Sequence, residues 1–168
     1  MEVYLLRHGE AAPRGPDGTD ESRPLTDAGR VETRQAAGAL ARLGVAVDLI
    51  LASPLVRARQ TAALAAETLR PPREPAVCAA LAPGGRPEDA LAALLAAGPV
   101  GRALLVGHMP GLGLLAGWLA WGRDDLAIPL RTAGLCRVDL PPRPGPGAGE
   151  LRWLLPPRVL RELSGVRG

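Results

Sequence analysis

Lysine, asparagine and phenylalanine are absent from the 168 residues, and aromatic residues of all kinds make up only 2% of the chain. All 20 basic residues are therefore arginine, which stays charged throughout the physiological range and grips oxyanions with a planar fork. A pI near 9.6 favours acidic partners. The arginines are nevertheless scattered rather than blocked together, and there are too few rings to stack bases, which argues against a nucleic-acid surface. Cysteine is scarce too. Cys78 and Cys136 lie in separate apolar segments without metal-type spacing and read as buried thiols in a reducing compartment. No apolar stretch approaches the ~20 residues of a membrane span; the longest, residues 112–121, is interrupted by glycines. No signal-peptide pattern precedes the first apolar run, so a cytoplasmic protein without membrane partners is expected. Histidine occurs only at His8 and His108.

With 47% hydrophobic and 22% charged residues, the chain has the length and composition of one ordinary domain, so a single domain over residues 1–168 is expected. Residues 2–6, 48–52 and 102–107 are near-continuous apolar runs, the pattern of strands covered on both faces. Between the first two, an irregular polar segment over 11–24 precedes a helix over 26–43, with Thr26 as N-cap and Gly44 just past the end. Ser53-Pro54 reads as N-cap and first helical residue of a helix ending near Leu69, before Pro71-Pro72. A short strand over 76–78 and helices over 87–97 and 110–121 complete the alternation. Residues 132–140 and 150–155 then read as strands joined by a Gly/Pro-rich loop. The expectation is an α/β fold of three layers: a mostly parallel sheet, helices on both faces and an antiparallel C-terminal edge hairpin.

Both histidines follow apolar runs, at the strand ends where open α/β sheets bind ligands. Arg7 adjoins His8, and Arg57 falls in the first turn of the helix opened by Ser53-Pro54. Two arginines and a helix N-terminus make an anion site, and a histidine beside them is a candidate nucleophile toward phosphorus. Adjacent residues of a strand face opposite ways, so Arg7 and His8 share a pocket only if the pleat breaks near Gly9. Gly111-Leu112-Gly113 lacks the third glycine of a dinucleotide loop and reads as close helix packing.

Four ordered segments carry a resemblance: Leu5-Leu6-Arg7-His8-Gly9-Glu10, Ser22-Arg23-Pro24-Leu25-Thr26, Ser53-Pro54-Leu55-Val56-Arg57-Ala58-Arg59-Gln60-Thr61 and Val106-Gly107-His108-Met109-Pro110. Together the chain resembles the histidine phosphatase superfamily, phosphoglycerate mutase-like proteins, and most closely its SixA-type phosphohistidine phosphatases. The resemblance implies that His8 accepts the phosphoryl group, that Arg7, Arg57 and His108 bind it, and that Arg23 is a secondary ligand. Neighbouring guanidinium groups are expected to keep His8 neutral. They also supply the cations, so neither metal nor other cofactor is implied.

Many members carry a glutamate after the third strand to protonate the leaving group, whereas this chain reads Cys78-Ala79-Ala80-Leu81 there. Glu10 is kept in the catalytic set as a candidate acid, with Glu88 and Asp89 as alternatives. Without a fixed acid, good leaving groups are favoured. Short connections also leave little chain for a lid, and an open pocket suits a protein substrate. Removal of phosphate from phosphohistidine on a signalling protein is thus the leading expectation. A phosphatase acting on small phosphate esters and a phospho-binding module without turnover stand as alternatives, with a mutase behind both.

Overall fold

Strands and helices alternate along the chain, which a computed structural model describes over residues 1–165. Strand β1 (Glu2–Arg7) leads through a long irregular segment to α1 (Asp27–Arg42), β2 (Leu49–Ala52), α2 (Val56–Leu69) and β3 (Ala76–Val77). A 3-10 turn at Ala79–Leu81 precedes α3 (Pro87–Ala96), β4 (Arg102–Gly107), α4 (Gly111–Trp121), β5 (Leu135–Asp139), β6 (Glu150–Leu155) and α5 (Pro157–Ser164). One sheet results, ordered β3-β2-β4-β1-β5-β6. Strands β3, β2, β4 and β1 are mutually parallel, β5 pairs antiparallel with β1, and β6 pairs antiparallel with β5 at the edge.

The apolar runs are continuous because consecutive side chains enter different cores. Val3, Leu5, Leu49, Leu51, Ala103 and Leu105 join α3 and α4 on one face, while Tyr4, Leu6, Ile50, Leu104 and Val106 join α1, α2 and α5 on the other. A strand with a two-residue side-chain period, buried on both faces, has no position left for a polar residue. The register sets Leu5 and Leu51 on either side of Leu105. The result is the expected three-layer α/β architecture. Among the described residues no helix is long and apolar enough to cross a membrane.

Several local expectations hold and three change. Thr26 caps α1, its hydroxyl accepting from the Gly29 amide at 3.0 Å, and Gly44 follows the helix at φ +72°. By contrast, α2 starts at Val56 with Leu55 as N-cap, not at Ser53-Pro54. The Ser53 hydroxyl accepts the Leu55 amide at 3.3 Å and lies 2.7 Å from His108 Nε2, two residues before the N-cap of the helix itself. Strand β5 begins at Leu135 rather than near residue 132. Before it, Arg131–Gly134 forms a turn closed by the Gly134 amide on the Arg131 carbonyl at 2.8 Å, with Ala133 at φ +54°. Helix α5 is unforeseen by the sequence reading. It starts on a proline, whose missing N–H costs nothing at that position, and packs against α1 with Leu160 only 1% exposed.

Candidate active site

Three neighbouring strands, β2, β4 and β1, end at the same edge, and each delivers one polar residue there. Backbone bonds fix the set: the His8 amide donates to the Gly107 carbonyl at 3.1 Å and the Ser53 amide to the Val106 carbonyl at 2.9 Å. The two imidazole rings consequently lie 4.9 Å apart, tilted by 55°. Strand β1 ends at Arg7, so His8 escapes the pleat. The Gly9 amide donates to the Thr61 hydroxyl at 3.2 Å, and that hydroxyl donates to the Arg57 carbonyl at 2.8 Å, pinning the turn to α2. A Cβ on Gly9 would collide with the Gly29 carbonyl oxygen and stand 2.7 Å from the Thr33 hydroxyl. Glycine is thus required because α1 presses directly on this turn.

His8 is 9% exposed, with Nδ1 2.7 Å from the Gly9 carbonyl oxygen. A carbonyl only accepts, so Nδ1 carries the proton and Nε2 keeps its lone pair. That lone pair receives the Arg57 Nε proton at 3.3 Å. Burial lowers the His8 pKa to about 4, opposed by the Gly9 carbonyl and helped by Arg57, Arg7 and Arg23. His108 is lowered to about 3, first by burial, then by His8, Arg57 and Arg7, with Asp20 acting the other way. The arginines do contribute as the sequence implied, but desolvation is the larger cause at both rings.

Arg57 is 5% exposed and nearly saturated: besides His8, its Nη1 donates to the Asp20 carbonyl oxygen at 2.6 Å and its Nη2 to Asp20 Oδ2 at 2.8 Å. Arg23 reaches the same carboxylate, Nη1 to Oδ1 at 2.7 Å, and holds the Ala12 carbonyl through Nε at 2.6 Å. Asp20 thus bridges both arginines, which hold its carboxyl below the usual range. No sequence motif singled it out; the available signal was an acid three residues before Arg23. Because the segment between β1 and α1 brings Asp20 over Arg57, the site has more cover than the short connections implied. Arg7 donates through Nη1 to the Leu130 carbonyl at 2.9 Å, while its buried Nε has no hydrogen-bond partner. His108 Nδ1 is likewise buried and unpartnered.

Other candidates fall elsewhere. Exposed Glu10 accepts the Thr26 hydroxyl at 3.1 Å at the start of α1 and forms no hydrogen bond with either histidine. Glu88 pairs with Arg86 at 3.1 Å, and Glu88 and Asp89 both occupy the first turn of α3. Ala80 sits in the 3-10 turn beside Gly111 and Leu112. Arg59 lines a groove of about 560 Å³ between α2 and β3, to which neither histidine contributes. Arg131 is close enough to Arg7 for its charge to disfavour protonation there. Gly113 approaches the Ile128 backbone too closely for a side chain, in keeping with the packing reading of the Gly-x-Gly. Cys78 and Cys136 are both buried and free.

The centre therefore combines a neutral imidazole lone pair with a concentration of guanidinium donors. A buried polar atom without a partner costs about 1–3 kcal/mol, so Arg7 Nε and His108 Nδ1 mark where a ligand would complete the site. An oxyanion meets that need, since every other group at the centre except Asp20 is neutral or cationic.

Comparison with known proteins agrees with this chemistry. Residues 3–82 match the model of the histidine phosphatase superfamily (branch 1). The chain is similar to the phosphohistidine phosphatase SixA of Escherichia coli (strain K12), 31% identical over 168 residues, 99% of this chain and 100% of that protein. It is also similar to an uncharacterised protein of Picosynechococcus sp., 43% identical over 142 residues, 80% of this chain and 82% of the other. Among solved structures, that of the protein histidine phosphatase SixA complexed with tungstate superimposes with a TM-score of 0.84 at 31% identity, over 94% of this chain and 98% of that one.

Proposed function

The chain belongs to the histidine phosphatase superfamily and is a phosphatase of that fold; from this premise we propose that it removes phosphate from phosphohistidine on a signalling protein, through a phosphorylated His8 and without a metal. The observation that carries the reading is the tautomer of His8. Its Nδ1 proton goes to the Gly9 carbonyl, so the neutral ring holds a lone pair on Nε2 facing Arg57 Nε–H, at a centre where the buried Arg7 Nε and His108 Nδ1 have no partner.

In the first step Nε2 attacks phosphorus, and the bond from phosphorus to the leaving imidazole breaks. Charge spreads over three equatorial oxygens, for which Arg7, Arg57 and His108 are the donors. As phosphorus takes the Nε2 lone pair, the Arg57 Nε–H loses its acceptor and turns to a phosphoryl oxygen. Arg23 acts from the second rank, through Asp20. The departing imidazole leaves neutral once its far nitrogen is protonated by water, so no enzyme carboxylic acid is needed. Water then attacks the phosphoryl group on His8, releases inorganic phosphate and restores the lone pair. The arginines supply the positive charge that a metal would bring. The SixA similarity supports a phosphohistidine substrate, and the lack, among the described residues, of a carboxylate hydrogen-bonded to either histidine supports a good leaving group.

Initial rates of phosphate release from a phosphohistidine protein and from aryl and alkyl phosphate esters, without added metal, test this. Faster release from phosphohistidine, lost in His8→Ala, is the expected result. Preference for one alkyl ester would move the protein to small-molecule metabolism, and Ala80→Glu should then bring no further gain on alkyl esters.

A further inference from the structure

We propose that Ser53 is a positioning residue that sets the tautomer of His108, leaving the proton on Nδ1 as a donor to the transferring phosphoryl group. This rests on the phosphoryl-transfer reading of the site, but its physical content is independent of substrate identity. Ser53 is fully buried, and its hydroxyl has two hydrogen-bond partners: the Leu55 amide at 3.3 Å and His108 Nε2 at 2.7 Å. The amide can only donate, so it uses one lone pair of the hydroxyl oxygen.

Two arrangements remain for the contact with His108. If Nε2–H donates, the hydroxyl accepts twice and its own proton is left buried with no acceptor among the described residues. The unpartnered Nδ1 would then carry a lone pair and repel an incoming phosphoryl oxygen. If instead the hydroxyl donates to Nε2, its proton is satisfied and Nδ1 must hold the ring proton. The atom with no partner in the protein is then a donor, as an oxyanion requires. Only the second arrangement leaves no buried group unsatisfied once an anion binds.

The two histidines are thus set by opposite means. At His8 a carbonyl acceptor draws the proton to Nδ1 and frees Nε2 to attack; at His108 a hydroxyl donor occupies Nε2 and frees Nδ1–H to bind. Ser53 lies in the motif that the sequence assigns to helix capping, a role that would use only the oxygen of its hydroxyl; the contact with His108 uses the proton.

The chain has only two histidines, so long-range proton–nitrogen correlation of the 15N-labelled rings is readily assigned, with His8→Ala identifying the remaining ring. At pH 7 the wild-type His108 should show a pyrrole-type Nδ1 and a pyridine-type Nε2. In Ser53→Ala the ring should shift toward Nε2–H, with kcat for phosphate release falling roughly 10–100-fold, as for other partners that orient a working histidine. Ser53→Thr, which restores the hydroxyl, should return the Nδ1–H pattern. An Nε2–H signal for His108 in the wild type would overturn the proposal, whether or not any variant folds. Retention of Nδ1–H in a folded Ser53→Ala would overturn it too. Failure of the wild type to release phosphate would instead strike the functional reading, leaving the tautomer measurement intact.

Discussion

At the residue scale the site is a problem in satisfying buried polar atoms, and each solution leaves one atom for the ligand. Asp20 adds a further element, because its carboxylate holds the same guanidinium groups that a phosphate would use. It is half exposed, so its pairing is worth only about 0.2–1 kcal/mol. Asp20→Asn should accordingly lower the inhibition constant of inorganic phosphate about two- to fivefold, measured against hydrolysis of an aryl phosphate. An unchanged constant would show that Asp20 does not compete with the anion. His8, His108, Arg7 and Arg57 are legible in the sequence because they sit at strand ends or at a helix start. Asp20 is not, since its role depends on how an irregular segment folds back. Gly9 was legible only as a permission; the approach of Gly29 on α1 turns it into a requirement.

Elements carry the site through their ends rather than their faces. The apolar runs announce β1, β2 and β4, because a strand buried on both sides cannot hide its composition, and the residues just past their ends, His8, Ser53 and His108, are what the proposed chemistry uses. The Ser-Pro signal misplaced the start of α2 by two residues, because the first helical bonds close on the Leu55 carbonyl, which accepts the Ala58 amide at 3.0 Å and the Arg59 amide at 3.1 Å. Gln60 and Thr61 show a quieter use of that helix. The Gln60 side chain accepts the Leu25 amide at 2.7 Å, and Thr61 holds the Gly9 amide, so α2 anchors both segments that bring Arg23 and His8 to the centre. Helix α5 escaped the sequence reading because its Pro156-Pro157 start looks like a break. Its anchor is Leu160, packed in the core shared with α1 and α2. Leu160→Ala should destabilise the fold by about 2–5 kcal/mol, seen as a lower midpoint in urea. Phosphate release below the new midpoint should be unaffected, because Leu160 packs in the core beneath α1 and α2 and is not one of the residues of the histidine–arginine centre.

For the whole molecule, two buried neutral histidines make stability depend on pH. Their folded pKa values, about 4 and about 3, lie below the ordinary 6.5 of an exposed ring. Below pH 6.5 the unfolded chain therefore binds protons that the folded chain refuses. The stabilisation is full above that value and is lost as pH falls toward 4 and then 3, at about 1.4 kcal/mol per pH unit for each ring. Thermal unfolding should show Tm falling between pH 6.5 and 4.5, with a shallower slope in His108→Gln; a flat profile would contradict neutral burial of the pair. The same burial keeps His8 neutral down to mildly acid pH, so fold stability and the proposed chemistry rest on one property. The central claim is that phosphate passes through His8. Its most direct test is rapid quenching of the reaction with an aryl phosphate, followed by mass analysis of the peptide that contains residue 8. An alkali-stable, acid-labile phosphoryl group on His8, absent from His8→Ala, is the predicted result; turnover with that histidine unphosphorylated throughout would contradict the account.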